Sequence, residues 1–319
     1  LALYPTFPQH DLEIGKGVII EEIRMYDDKP EHLVGKHFQK MLYGDNGLGQ
    51  TVVGLEKVIK SLNRDALYSY HQSNYVSANM LIVVAGKVDT ATKSQIIDHF
   101  GHLPSQTVPK FTTPFTNQNS PQINVHTKND IKQIHLALGG IGLSVADPRR
   151  YALGLLLSIL GQGLSSRLFM EMREKRGLCY SVHAGDEKFA DIGHWDVYMG
   201  LNPDKLTEAL QALLEQLVLI KTDLVSEAEL FQAKEKARGG LIFSQEDPMR
   251  QMDFYARQVL DRPQEVLAYD SVLSRLMQTT VEDVRQIARD LFKTEKLNLA
   301  VVGPIEDKQK ERLMKILQI

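Results

Sequence analysis

An internal repeat constrains this chain more than any other feature of its sequence. One matching pair of segments consists of Leu12 to Pro30 (LEIGKGVIIEEIRMYDDKP) and Leu230 to Pro248 (LFQAKEKARGGLIFSQEDP), which align without a gap at an offset of 218. A second pair consists of Met80 to Gly86 (MLIVVAG) and Leu297 to Gly303 (LNLAVVG), at an offset of 217. Two matches at nearly one offset indicate a duplicated domain. Chance similarity between amphipathic helices is the alternative.

Hydrophobic periodicity in the second copy predicts an α+β domain, with a mainly antiparallel, meandering sheet covered by helices on one side. The predicted strands are 122–127, 133–138, 178–183, 194–201 and 297–302. The predicted helices are 147–161, 165–175, 203–221, 250–260, 271–277 and 281–292, one that starts at the capping-box pair Ser226 and Glu229, and one from Asp307. By the repeat, Met80 to Gly86 is the matching strand of copy one.

Copy one is shorter than copy two. If copy two begins near Gln122, 108 residues precede Leu230, whereas only 11 precede Leu12, so we expect copy one to lack about 97 residues, including its opening strands. The start of the sequence resembles neither an initiator Met nor a signal peptide. We therefore predict an incomplete first domain (1–107), a linker rich in Pro, Thr, Asn and Ser (108–121) and a complete second domain (122–319).

Composition excludes several classes of function. Lys and Arg total 37 against 40 Asp and Glu, so the chain lacks the excess positive charge that nucleic-acid binding needs. No apolar run approaches the roughly 20 residues of a membrane-spanning helix, so no membrane partner is expected. Cys179 is the single cysteine, which excludes an intrachain disulfide and fits a reducing compartment. We expect a cytoplasmic protein, with periplasm or organelle left open.

Two segments resemble the insulinase and processing-peptidase family of zinc peptidases. Lys16 to Val34 (KGVIIEEIRMYDDKPEHLV) is similar to the helix that follows the zinc-binding helix in that family, and Ser165 to Val182 (SSRLFMEMREKRGLCYSV) is similar to its characteristic second-domain segment. The similarity to bacterial members extends along essentially the whole chain. It implies a zinc-dependent endopeptidase subunit with two homologous α+β domains. It also implies a homodimer or heterodimer that encloses peptide or unfolded protein substrates.

The same resemblance implies that Glu22 is a zinc ligand. In the family, an inverted H-x-x-E-H helix supplies two His ligands and a general-base Glu, and Glu22 matches the V-I-x-x-E pattern of the later helix that supplies the third ligand. Such a set leaves the fourth zinc position for water, whose pKa falls to about 7. Taken alone, the acidic run around Glu22 is typical of a solvated helix face. Gly15 stands where active members of the family have a second Glu. In copy two, Gly240 aligns with Glu22, so copy two is expected to be metal-free.

The ten His residues do not supply the missing ligands. The segment most similar to H-x-x-E-H is His10-Asp11-Leu12-Glu13, which is followed by Ile14 instead of His. We therefore expect the metal helix to belong to the absent part of copy one. The chain as given should neither hold catalytic Zn²⁺ nor cleave peptides.

Arg173 and Tyr180 match a second set of functional residues that the resemblance implies. An Arg and a Tyr seven residues apart hold the substrate backbone and donate to the developing oxyanion in that family, and REKRGLCY has this spacing. From the residues alone, the alternatives are that Arg173 is a solvated residue of a helix and that Tyr180 is a core residue of a strand. Cys179, between Leu178 and Tyr180, is interpreted as a buried structural thiol.

The sequence is also compatible with two other functions. The chain is alternatively a non-catalytic partner subunit of a heterodimeric peptidase, as in family members that divide the two roles. A structural core subunit of a membrane complex is the second alternative. The presence of Glu22 together with Arg173 and Tyr180 favours the peptidase interpretation.

Overall fold

A computed structural model describes residues 2–108, 111, 113 and 117–319 of the chain. The α-helices in this part are α1 Gln9–Asp27, α2 Pro30–Tyr43, α3 Glu56–Ser61, α4 Arg64–Asn74, α5 Thr90–Phe100, α6 Arg150–Gly161, α7 Leu206–Thr222, α8 Glu227–Glu246, α9 Pro248–Asp261, α10 Tyr269–Met277, α11 Val281–Leu291 and α12 Asp307–Ile316. The strands are β1 Gln122–Thr127, β2 Ile134–Ile141, β3 Ser181–Lys188, β4 Gly193–Leu201 and β5 Asn298–Gly303. A π-helical segment covers Phe169–Lys175.

The element bounds repeat with the offset found in the sequence. The residue numbers of α2 and α9 differ by 218 at both ends, and those of α4 and α11 differ by 217 at both ends. The short 3-10 helices Ser77–Asn79 and Thr294–Lys296 also differ by 217. Gly86 and Gly303, at the same offset, both have positive φ. The agreement of local structure supports a duplication over chance similarity.

The chain forms two compact units that are discontinuous in sequence. Unit 1 consists of Leu1–Asp28, Thr51–Thr112 and Phe243–Val266, and unit 2 of Lys29–Gln50, Thr113–Ile242 and Leu267–Ile319. Helix α2 of copy one thus belongs to unit 2, and its counterpart α9 of copy two belongs to unit 1. The predicted linker 108–121 lies partly outside the described residues, and the division into 1–107 and 122–319 stays a prediction.

Unit 2 is built on a five-stranded sheet with the order β1-β5-β2-β4-β3. Only β1 and β5 are parallel in this sheet, which confirms the mainly antiparallel α+β class. Because β5 inserts between β1 and β2, the sheet is not the simple meander that we predicted. Trp195, Val197 and Met199 alternate along β4 and are fully buried in the main core with the leucines of α6 and α7. Each such side chain stabilises the fold by roughly 1.5–3 kcal/mol.

The other face of this sheet carries α2, so the prediction of helices on one side only is wrong. Leu33, Val34 and Phe38 of α2 pack in a second apolar cluster against small or short side chains of β2 and β5, including Ala137 and Ala300. Short side chains on the strands let the helix approach closely. The apolar stripe of α2 was visible in the sequence, but its partners β2 and β5 lie about 100 and about 260 residues further along the chain.

The predicted strand at Met80 to Gly86 is wrong, since the structure has no strand there. Met80 has an extended backbone (φ −121°, ψ 135°), but no other strand in the described part of unit 1 offers a partner. A β-strand needs a hydrogen-bonded neighbour to bury its backbone groups. Helices α1 and α3 are in contact in unit 1, and each carries one buried isoleucine, Ile23 and Ile59.

The capping box that we predicted at the start of α8 is confirmed and extends to an arginine. Ser226 N donates to Glu229 Oε2 (2.9 Å), Glu229 N donates to Ser226 Oγ (3.2 Å), and Arg167 Nε donates to Glu229 Oε1 (2.7 Å). The hydrogen bond from Arg167 is the main reason that the pKa of Glu229 falls to about 2.

We expect Glu229→Gln to lower the free energy of unfolding by about 1–3 kcal/mol at pH 7, because hydrogen bonds to a charged acceptor are lost. The pKa of Glu229 is depressed in the folded state, so its contribution is present above pH 4.5 and is lost as the pH falls towards 2. Urea unfolding at several pH values measures the difference. Glu227→Gln, at an exposed position on the same helix, is the control and should change stability by at most about 0.5 kcal/mol.

Candidate functional site

A sharp turn positions Arg173 and Tyr180 in unit 2. The π-helical segment carries Arg173 and ends before Gly177, whose φ of +57° favours glycine. Leu178 N donates to Met172 O (2.7 Å), and Tyr180 N donates to Gly200 O (2.8 Å), which leads the chain into β3. The Tyr180 side chain is 58% exposed, which excludes the alternative of a core strand Tyr. π-Helical segments occur frequently at functional sites.

Arg173 differs from the two basic residues that follow it. Lys175 Nζ pairs with Glu171 (3.0 Å), and Arg176 pairs with Glu171 (2.9 Å) and Glu215 (3.3 Å). The Arg173 guanidinium instead lies over the Phe169 ring, 5.1 Å from its centre, and has no ion pair with any described residue. A cation–π contact uses the charge of the guanidinium and leaves its N–H donors available for carbonyl oxygens.

Cys179 behaves as the structural thiol that we predicted. Its side chain is buried, and burial raises the pKa of the thiol to about 11, although the nearby charge of Arg173 acts in the opposite direction. A thiol with a raised pKa is a poor nucleophile at neutral pH. Cys179 is therefore not a nucleophile at neutral pH, and the roles of Arg173 and Tyr180 stay predictions.

Glu22 lies on α1 in unit 1, and its side chain is partly buried. A Cβ at Gly15, about two helical turns before Glu22, would have no atom within 4 Å, so packing does not require glycine there. The described residues contain no group of three or more His, Cys, Asp or Glu side chains able to hold a metal ion. They do not fit a zinc site, and the role of Glu22 as a ligand stays a prediction.

A polar cleft on the α2 face of the sheet escaped the sequence prediction. It has a volume of about 620 Å³ within unit 2. Its titratable lining consists of Glu31, His183, Asp186, Glu187, His194, Asp196 and Tyr198. The members on β4 alternate with the core residues of that strand, so the period of two in HWDVYM was the available signal. Nothing in residue type distinguished this polar face from an ordinary solvated one.

Burial controls the charges in this cleft. Burial lowers the pKa of His194 to about 4, and its Nδ1 is hydrogen-bonded to Tyr43 Oη (2.9 Å). Burial, reinforced by Asp186 and Glu187, raises the pKa of Asp196 to about 7. Burial is also the main reason that the pKa of Tyr43 lies well above its usual range. His194 is therefore neutral at pH 7, whereas Asp196 is present both as the protonated carboxyl and as the carboxylate.

Comparison with known proteins places the chain in a family. A family model described as the peptidase M16 inactive domain matches residues 61–237, which is more than half of the chain. The chain belongs to the M16 peptidase family. An uncharacterized zinc protease of Mycobacterium leprae is 33% identical over 94% of this chain and 67% of its own length. The zinc protease YmxG of Bacillus subtilis, also uncharacterized, is 31% identical over 94% of this chain and 72% of its own length.

Solved structures confirm the M16 fold. A protease from Helicobacter pylori superimposes with a TM-score of 0.87 at 20% identity, covering 94% of this chain and 73% of that one. The peptidase M16 inactive domain from Pseudomonas fluorescens gives a TM-score of 0.84 at 20% identity, over 96% of this chain and 73% of that one. At these identities the likeness shows the fold alone. The resemblance inferred from the sequence is confirmed. Within the described M16 chain, no helix has the length and apolarity to cross a membrane.

Proposed function

We propose that this M16 chain is the substrate-positioning part of a zinc endopeptidase that cleaves peptides or unfolded protein segments inside a chamber of two subunits. On this proposal, Arg173 and Tyr180 contact the substrate, and polypeptide outside the described residues supplies the zinc-binding helix. The relatives whose names include zinc protease support the reaction class. The family model, whose name includes the word inactive, supports a non-catalytic role for the matched part.

The state of Arg173 is the observation that carries this proposal. Lys175 and Arg176 are paired with carboxylates, as expected for a solvated helix, while Arg173 lies over the Phe169 ring without such a pair among the described residues. A peptide backbone offers carbonyl oxygens that accept from a guanidinium. Tyr180, exposed seven residues later, presents a phenolic hydroxyl that donates to a developing oxyanion, and such a donor contributes about 3 kcal/mol to the transition state.

Peptide binding tests the role of Arg173. We expect Arg173→Ala to weaken the binding of an unstructured 20-residue peptide by about tenfold, which corresponds to about 1.4 kcal/mol. Lys175→Ala is the matched control, because it removes an exposed charge from the same segment that is already paired with Glu171. Fluorescence anisotropy with labelled peptide gives both dissociation constants. Equal effects of the two variants would contradict the proposal.

The chain by itself should neither bind zinc stoichiometrically nor hydrolyse peptides. The described residues hold no suitable ligand cluster, and a single carboxylate such as Glu22 is a poor zinc site. Elemental analysis after dialysis against trace zinc, together with a quenched fluorescent peptide assay, measures both properties. One equivalent of bound zinc with peptidase activity would show that the metal site lies within these 319 residues.

A structural core subunit is the second candidate. The chain superimposes with a TM-score of 0.80 at 16% identity on a chain of complex III2 from Candida albicans, over 94% of this chain and 73% of that one. That likeness concerns the fold alone. Among the described residues Arg173 has no carboxylate partner, which favours the peptidase role over the structural one, because a structural subunit does not need an arginine that is available to bind substrate.

A further inference from the structure

Two buried side chains anchor the segment that carries Arg173. Leu168 and Met172, four residues apart, are fully buried in the core of unit 2. Phe169 and Arg173 each follow one of these anchors in the sequence, and the Phe169 side chain is partly buried whereas Arg173 is exposed. Gly177 N donates to Arg173 O (3.2 Å), which also fixes the backbone at this end. The backbone is therefore held in place, and the Arg173 side chain extends away from the core.

The local sequence explains why Arg173 has a ring and not a carboxylate as its neighbour. Residues three to five apart share a face of a helical turn, whether the turn is α-helical or π-helical. At these distances from Arg173 the sequence has one aromatic residue and no acidic one, among Leu168, Phe169, Met170, Arg176, Gly177 and Leu178. Lys175, by contrast, has Glu171 four residues before it and pairs with it (3.0 Å).

Other guanidinium groups that lie over aromatic rings have hydrogen bonds as well. Arg150 lies 4.4 Å from the centre of the Tyr151 ring and donates to Tyr151 Oη (2.8 Å). Arg64 lies 5.6 Å from the centre of the Tyr68 ring and donates to a backbone carbonyl oxygen (3.2 Å). In the part of the chain that the structure describes, the guanidinium of Arg173 has the ring contact at 5.1 Å but neither a hydrogen bond nor an ion pair.

We propose that Phe169 is a positioning residue, whose ring holds the Arg173 guanidinium in the orientation from which it donates to a backbone carbonyl oxygen of a bound peptide. This role rests on the proposed function, in which Arg173 contacts the substrate. A cation–π contact attracts the positive charge and uses none of the N–H donors. A long arginine side chain otherwise samples many rotamers, which peptide binding would have to restrict at a cost in entropy. The ring restricts them before the peptide arrives, so that part of this cost is avoided.

The peptide affinity of Phe169 variants of the 319-residue chain tests this role. With the labelled, unstructured 20-residue peptide, Phe169→Leu should weaken binding by about two- to fivefold, the size of an exposed cation–π contact. Phe169→Tyr keeps a ring and should restore most of the affinity. Phe231→Leu is the matched control, because it removes a phenylalanine ring that is 62% exposed on α8, and it should leave the affinity unchanged. Trp195 emission verifies that unit 2 stays folded in each variant.

A double variant distinguishes positioning from direct contact with the peptide. In the Arg173→Ala background, Phe169→Leu should cause no further loss of affinity, because the ring acts through the guanidinium. An equal loss in both backgrounds would show that the ring touches the peptide or only supports the fold, and would overturn the proposal.

NMR of the arginine side chains tests the contact without any peptide. In the chain produced with isotopically labelled arginine, the side-chain protons of Arg173 should be shifted by the ring current of Phe169. Arg173→Ala identifies these signals by their disappearance. The shift should vanish in Phe169→Leu and remain in Phe169→Tyr. Unshifted signals in the unsubstituted chain would overturn the proposal whatever the affinities are.

Failure of the positioning role and failure of the proposed function give different results. If Arg173→Ala weakens peptide binding and Phe169→Leu does not, Phe169 does not position Arg173, and the proposed function stands. If Arg173→Ala has no effect on binding, the proposed function fails, and the positioning role fails with it.

Discussion

Gly139→Ala is expected to unfold unit 2 or to lower its free energy of unfolding by about 3 kcal/mol or more. A Cβ at this position of β2 would lie 2.0 Å from Trp195 O, 2.8 Å from the Asp196 Cα and 2.8 Å from Phe38 Cζ. Two of these atoms belong to the backbone of β4, which moves only if the β2–β4 ladder opens. The third is the tip of the Phe38 side chain of α2, which would have to rotate away.

The single tryptophan makes this result easy to measure. Trp195 is fully buried beside Phe292 in the core of unit 2, so urea titration followed by tryptophan emission reports the unfolding of this unit. Gly154→Ala is the matched control, because a Cβ there meets nothing within 4 Å and alanine favours helix α6 by up to about 1 kcal/mol. If Gly139→Ala unfolds at the same urea concentration as the unsubstituted chain, the close approach of β2 and β4 is wrong.

The sequence predicted local structure well and long-range neighbours poorly. Helix α12 begins at Asp307 as predicted, because its start depends on local capping and turn chemistry. The segment Met80 to Gly86 has the same apolar pattern as β5, yet it is no strand. A strand depends on a neighbour that the pattern does not encode. The exchange of α2 and α9 between units escaped prediction for the same reason.

The candidate site was predictable only in part. The family resemblance pointed to Arg173 and Tyr180, and the structure places them at an exposed turn. The sequence does not indicate which of the three basic side chains lacks a carboxylate partner. The polar cleft was missed because the alternation of His194 and Asp196 with apolar residues is typical of a strand with one solvated face. Their shifted pKa values come mainly from burial, and α2 lines the same cleft from a distant part of the sequence.

Asp196→Asn is expected to stabilise the chain at pH 8 by about 3 kcal/mol, as an order of magnitude, and to have little effect at pH 4. The pKa of this carboxyl is raised from 3.8 to about 7 in the folded state, so folding is favoured while the group is protonated. That advantage is lost as the pH rises from about 4 through 7. Asparagine keeps the shape of the side chain and removes the charge that burial, Asp186 and Glu187 disfavour.

His194 gives this experiment a second signature. Its pKa is lowered from 6.5 to about 4, so the folded state loses stability as the pH falls from 6.5 to 4. In the unsubstituted chain, the pH dependence due to His194 opposes the one due to Asp196. The free energy of unfolding should therefore change little between pH 4 and 6.5. In Asp196→Asn the slope of His194 remains alone, and stability should rise from pH 4 to 6.5. Asp45→Asn, at an exposed ion pair, is the control and should leave the pH profile nearly unchanged. Parallel profiles for Asp196→Asn and the unsubstituted chain would mean that this carboxyl is solvated and not buried.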